Sequence, residues 1–199
     1  MLDGEVVARR KLRRVQAELG ATCGGTVLAL LGVDGGTILI PTTTLADTDL
    51  DAMVARLSAA AHVRVTATLV VTAPDEVPSA ADRAHELLDM VQRLSCVPGL
   101  YRFTDMALEH QLTRPGPGRE TLGVLLDPLD DHPELMQTLQ CHISNNLNRQ
   151  RTAHLMHIHA NTVDYRIRRV RQLTGFDPAA NSGLWQLHSA LIARTFNDG

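Results

Sequence analysis

From Arg149 to Thr174 the run RQRTAHLMHIHANTVDYRIRRVRQLT permits one local arrangement, two short helices about a tight turn. Val163, Ile167 and Val170 recur at spacings of four and three, which places them on one side of a helix, toward a core. Thr162, Tyr165, Arg166 and Arg169 are expected on the opposite side. Ala153 is small enough for a close helix crossing, Leu155 and Ile158 can pack beneath a turn at 157–160, and Asn161 is a suitable N-cap for the second helix.

Charge adds to this geometry. After residue 120 the chain has 7 Lys+Arg and 7 Asp+Glu, yet Arg149, Arg151, Arg166, Arg168, Arg169 and Arg171 all fall within this segment against the lone acid Asp164. The formal net charge of the whole chain is −3, so the basic excess is local. A basic helix following a turn meets the requirements for entering the major groove of duplex DNA. On that reading the base-contacting set is His159, Asn161, Thr162, Tyr165, Arg166 and Arg169, with Asn suited to adenine and Arg to guanine. Arg149, Arg151, Arg168 and Arg171 are expected on phosphates, where they hold register without reading sequence. The rival class is a protein–protein interaction module whose basic helix docks an acidic partner without specific DNA binding.

Composition excludes several other classes. Aromatic residues make up only 3% of the chain, too few for single-strand recognition by rows of stacked rings. Cys23, Cys96 and Cys141 are odd in number and widely spaced, which suits thiols used as small apolar residues in a reducing cytoplasm. There is no signal-peptide pattern and no apolar run of membrane-spanning length, so a soluble cytoplasmic protein without membrane attachment is expected.

The N-terminal part has a different rhythm. Residues 4–19 read as a helix with a short seam at Ala8, Leu12, Val15 and Leu19, flanked by Arg9, Arg10, Lys11, Arg13 and Arg14 and closed by Gly20. It is expected to be a packed or dimerising connector. TVLALLGV (26–33) and TILIP (37–41) flank the hairpin signal Asp34-Gly35-Gly36. A helix follows over 47–61 with Leu50, Met53, Val54 and Leu57 on one face, then a strand over 63–72. A second helix runs from an N-cap at Ser79 to about Cys96, with Ala84, Leu87, Leu88, Val91 and Leu94 inward, and a last strand covers 99–106. This order predicts an α+β layer with antiparallel pairing. Pro115-Gly116-Pro117-Gly118 is the natural linker, and helices are expected over 133–147, 149–156, 161–174 and 183–196. In the last of these, Trp185 is expected on the core stripe with Leu184, Leu187, Leu191 and Ile192.

The run TAHLMHIHANTVDYRIRRVRQLTGFD (152–177) resembles the C-terminal helix-turn-helix of PucR/CdaR-type bacterial transcription regulators. The resemblance rests on Ala153, Leu155, Ile158, His159, Asn161, Thr162, Tyr165, Arg166, Leu173, Thr174 and Gly175, and upstream on Glu134, Leu135, Thr138, Leu139 and Asn146. It implies sequence-specific binding of double-stranded DNA for transcriptional control, and a homodimer reading two half-sites. More weakly, residues 28–71 resemble the degenerate GGDEF-like domain that such regulators carry, related in fold to nucleotide cyclases. The implied organisation is a connector helix (1–20), a GGDEF-like α+β domain (21–119) and a helix-turn-helix domain (120–199). Regulators of this type usually carry a sensory domain upstream, so either the chain is a fragment or shortened form or its signal arrives by another route, and no effector follows from it.

No catalytic chemistry is expected. An active cyclase needs an acidic pair at the hairpin, where this chain has Asp34 followed by Gly35, Gly36 and Thr37. His154, His157, His159 and the Cys141-His142 pair do not have structural-zinc spacing, so no metal and no cofactor are expected.

Overall fold

The computed structural model of this chain describes residues 2–196, with side chains from residue 5. The chain divides into two compact units, Met1–Met106 and Ala107–Gly199. The Pro115–Gly118 cluster therefore lies inside the second unit rather than between the two.

The first unit begins with α1 (Leu2–Cys23), followed by a hairpin of β1 (Leu28–Leu31) and β2 (Gly36–Leu39), paired antiparallel with Leu28 opposite Leu39. Helix α1 does not stop at Gly20. Leu19 and Cys23, one turn apart, are both buried against Leu50, Met53 and Leu57 of α2 (Asp47–Ala61), and that packing outweighs the roughly 1 kcal/mol cost of an interior glycine. Helix α2 has the expected bounds, and Leu50, Met53, Val54 and Leu57 are all buried.

The remaining elements are β3 (Ala67–Leu69), α3 (Val77–Arg93) and β4 (Leu100–Arg102). The α+β class holds, but the pairing differs from the expectation of one antiparallel sheet. There are two separate two-stranded sheets, and β3 pairs with β4 in parallel, Ala67 opposite Leu100. The cause is the connection: α3 carries the chain back to the end where β3 began, so the next strand runs the same way. Strand β3 is also far shorter than the apolar run around it, because β4 offers only three residues to pair with. Helix α3 begins two residues before Ser79, whose hydroxyl donates to the Glu76 carbonyl instead of capping a helix. Its buried residues include Leu87 and Val91, as expected, and also Ala80 and Met90, while Ala84, Leu88 and Leu94 are half-buried.

The second unit is helical: α4 (Ala107–Thr113), α5 (Pro117–Gly123), a 3-10 stretch (Val124–Leu129), α6 (Pro133–Ser144), α7 (Arg149–Leu155), α8 (Ala160–Thr174) and α9 (Asn181–Thr195). Pro117 opens α5 in the first turn, where its missing N–H costs nothing. The core joins Leu126 and Leu129 to Leu135 and Leu139 of α6, Val170 of α8, and Leu187 and Ala190 of α9. Trp185 does not belong to it. Leu187 and Ile192 are buried, but Trp185 is 57% exposed, because two helical residues separate it from Leu187 by about 200° of rotation.

Four of the described helices end in the same way. Helices α2, α3, α6 and α7 close with a left-handed residue whose N–H bonds back three residues, while the next N–H bonds back five: His62, Ser95, Asn146 and His157, at φ of 53, 52, 52 and 54°. Helix α8 ends on a left-handed glycine instead, Gly175 at φ 79°, whose N–H bonds back four residues to the Arg171 carbonyl.

Candidate nucleic-acid interface

Helices α6, α7 and α8 form the site. Asn148 starts α7, its side-chain oxygen accepting from the Arg151 N–H at 2.9 Å. Thr152 on α7 is fully buried and meets His142 Nδ1 of α6 at 3.2 Å, a polar contact inside an otherwise apolar crossing. Ala153, also buried, permits the close approach. The turn to α8 passes through His157, and Ile158 N–H reaches the Ala153 carbonyl at 3.0 Å.

Helix α8 starts one residue earlier than its sequence pattern suggests. Its cap is His159, whose Nδ1 accepts the Asn161 N–H at 3.1 Å, so the Asn161 side chain is not used as a cap. Since Nδ1 acts as acceptor, the neutral ring carries its proton on Nε2, which presents an outward donor. Asn161, Tyr165, Arg168 and Arg169 are exposed, Tyr165 by 63%. At about 100° per residue, Asn161, Arg168, Tyr165 and Gln172 share one outward arc, opposite the buried Val163 and Val170.

Other arginines have partners within the domain. Arg149 bonds to Asp164 at 2.7 Å, linking α7 to α8. Arg168 Nε donates to the Asp164 carbonyl at 3.3 Å, Arg169 to Gln172 at 3.2 Å, and Arg171 pairs with Asp177 at 2.9 Å. Arg151 is exposed. Arg166 stands apart: it is half-buried and turned toward α6, where its Nη1 donates to Thr138 Oγ1 at 3.2 Å. Thr162 is half-buried at the flank of the same helix. The structure thus gathers His159, Asn161, Tyr165, Arg168 and Arg169 on the outer side and draws Arg166 inward.

Sequence reasoning noted Thr138 only as part of the resemblance and His142 only as a rejected metal ligand, and it passed over Asn148 and Thr152. Asn148 carried a readable signal, an Asn directly before a helix. The other three acquire roles only when α6 meets α7 and α8. Among the described residues no group of three or more His, Cys, Asp or Glu side chains is arranged to hold a metal ion, and no helix is long and apolar enough to cross a membrane.

Two helices joined by a tight turn, the first bracing the second and the second exposing a polar, basic face, define a helix-turn-helix domain, the class that presents its second helix to the major groove. Within that class, residues 135–193 match the PucR C-terminal helix-turn-helix domain, as the sequence resemblance implied. The chain is 38% identical over 77 residues to the uncharacterized protein YsfB of Bacillus subtilis (strain 168). That match takes in 36% of this chain and spans about a fifth of the relative, 20% of its length. A solved structure, the regulator of polyketide synthase expression from Bifidobacterium adolescentis, aligns over 95% of this chain and 76% of its own, at 16% identity and a TM-score of 0.40.

Proposed function

We propose that this chain is a transcription regulator that binds duplex DNA in a sequence-specific manner through the outer face of α8. The observation that carries the reading is the arc of Asn161, Tyr165 and Arg168, exposed opposite the buried Val163 and Val170 on a helix capped at His159. In this reading His159, Asn161 and Thr162 meet base edges at the entering end of the helix, with Tyr165 and Arg169 one and two turns further along. Arg149, Arg151, Arg168 and Arg171 meet phosphates, where charge neutralisation supplies affinity without sequence preference.

The first unit is read as a degenerate GGDEF-like α+β region preceded by the connector α1, serving assembly or relay rather than catalysis. A hairpin followed by a helix and a strand supports this, as does the absence of an acidic pair after Asp34. The chain is proposed to act as a homodimer, through residues 6–19 or the α+β region, because helix-turn-helix proteins commonly read paired half-sites.

The test is selection of bound duplexes from a random pool, followed by titration of the enriched sequence at several salt concentrations. A recurrent motif with paired half-sites is expected. Failure to enrich any motif, with binding that depends on salt alone, would overturn the reading and favour an acidic protein partner. Incubation with GTP and magnesium is expected to yield no cyclic product.

A further inference from the structure

The least expected contact in the helix-turn-helix is that of Arg166. On α8 this residue lies about 60° from Val163 and about 40° from Val170, on the packed side of the helix, while Asn161 lies about 140° away. Its Nη1 donates to Thr138 Oγ1 at 3.2 Å, and the Thr138 hydroxyl donates in turn to the Glu134 carbonyl at 2.6 Å. Thr138 is fully buried, between Leu135 (3% exposed) and Leu139 (fully buried) on the same helix. The hydroxyl therefore has its one proton committed to α6 and a lone pair committed to α8. An arginine held this way cannot also extend to a base edge without leaving a buried hydroxyl short of a partner.

We infer that Arg166 is a positioning residue, which through Thr138 sets the rotation of α8 against α6 and so determines which side chains face outward. The apolar contacts at Val163 and Val170 hold α8 to the core but tolerate small rotations, since dispersion contacts are not directional. A hydrogen bond from a guanidinium to a hydroxyl fixed on the neighbouring helix is directional, and it restricts that freedom. A rotation of about 20° would carry Arg168 to the angle that Asn161 held and move Asn161 the same amount further round. The inference rests on the helix-turn-helix reading above, and it changes what Arg166 contributes: alignment of the readers, not reading.

The experiment compares the full chain with Arg166→Ala, Arg166→Lys, Thr138→Val and Thr138→Ser on the selected duplex and on a panel of its single-base variants. Arg166→Ala and Thr138→Val should each weaken every duplex by a similar factor, about tenfold, with the order of preference kept. Thr138→Ser keeps the acceptor and should restore binding; Arg166→Lys, with one donor in reach, should restore part of it. Loss of preference at a single base position in Arg166→Ala, with Thr138→Val binding like the parent, would overturn the inference. Amide hydrogen exchange of residues 160–174 without DNA provides a second readout, which stands even if the parent selects no motif. Faster exchange is expected in Thr138→Val but not in Thr138→Ser. Unchanged exchange in Thr138→Val would overturn the inference independently of DNA binding, and this pair of variants decides the matter if Arg166→Ala does not fold.

Discussion

Arg149 Nη1 lies 2.7 Å from Asp164 Oδ2, so the first residue of α7 is tied to the second turn of α8. Both side chains are more than a third exposed, and such a pair contributes on the order of 0–1 kcal/mol to stability. Its larger consequence is for charge, because Asp164 is the one acid among six arginines.

Replacing Asp164 with Asn should release Arg149 to the phosphate backbone and remove a repulsive charge. Affinity for duplex DNA should rise at low salt, and the slope of log K against log salt should steepen by about one. Titrations between about 50 and 200 mM salt would measure this, and an unchanged slope would place Arg149 away from the phosphates.

His142 gives a pH dependence with a definite sign. Burial holds its imidazole below the ordinary value of 6.5, opposed by the nearby Asp164 carboxylate. The unfolded chain takes up the proton near 6.5 and the folded chain only at lower pH. The contribution to stability is therefore complete above about pH 6.5 and is lost as pH falls through the folded value. Thermal unfolding of the second unit should shift to lower temperature as the solution is acidified below that point. His142→Asn, which can keep a contact to Thr152, should flatten the dependence; an unaltered dependence would assign the effect to other histidines.

Gly183 is required by a close approach. A Cβ there would stand 2.2 Å from the Asp177 carbonyl oxygen and 2.6 Å from the Asp177 nitrogen, both backbone atoms. Gly183→Ala should cost about 1–3 kcal/mol by forcing α9 away from Asp177 in the α8–α9 loop. Denaturant unfolding of this variant against the exposed control Ser182→Ala would show it. Equal midpoints for the two would mean that the loop yields.

Asn161 and Arg168 share one outward arc yet should behave differently. Asn161→Ala should lose discrimination at one base position, worth about 1–3 kcal/mol. Arg168→Ala should weaken all sequences alike and flatten the salt dependence. Identical profiles for the two variants would dissolve the division into base and phosphate contacts.

Much of this architecture was legible because it is local. The spacing of Leu50, Met53, Val54 and Leu57 marks the buried face of α2, and that of Val163 and Val170 the buried line of α8, since residues three and four apart necessarily share a side. Gly175 marks the end of α8 by the same kind of local chemistry. The stops at Ser95 and Asn146 were hidden, because only the path of the following chain imposes a left-handed residue there.

The linear sequence by itself determined the periodicity of each helix, the place of the turn between α7 and α8, and the local excess of arginine. Only the tertiary structure decided how wide the buried arc of α8 is. Arg166 lies on the flank of the line through Val163, Ile167 and Val170, about 40° from Val170, where periodicity alone does not say which neighbour it meets. It turns inward because Thr138, 28 residues earlier, brings a hydroxyl to it on α6. The same holds for Cys23, which extends α1 past a glycine to reach α2, and for β4, which pairs in parallel with β3 because α3 returns the chain. Periodicity is a property of neighbours three and four apart, whereas a covered face depends on which distant element arrives to cover it.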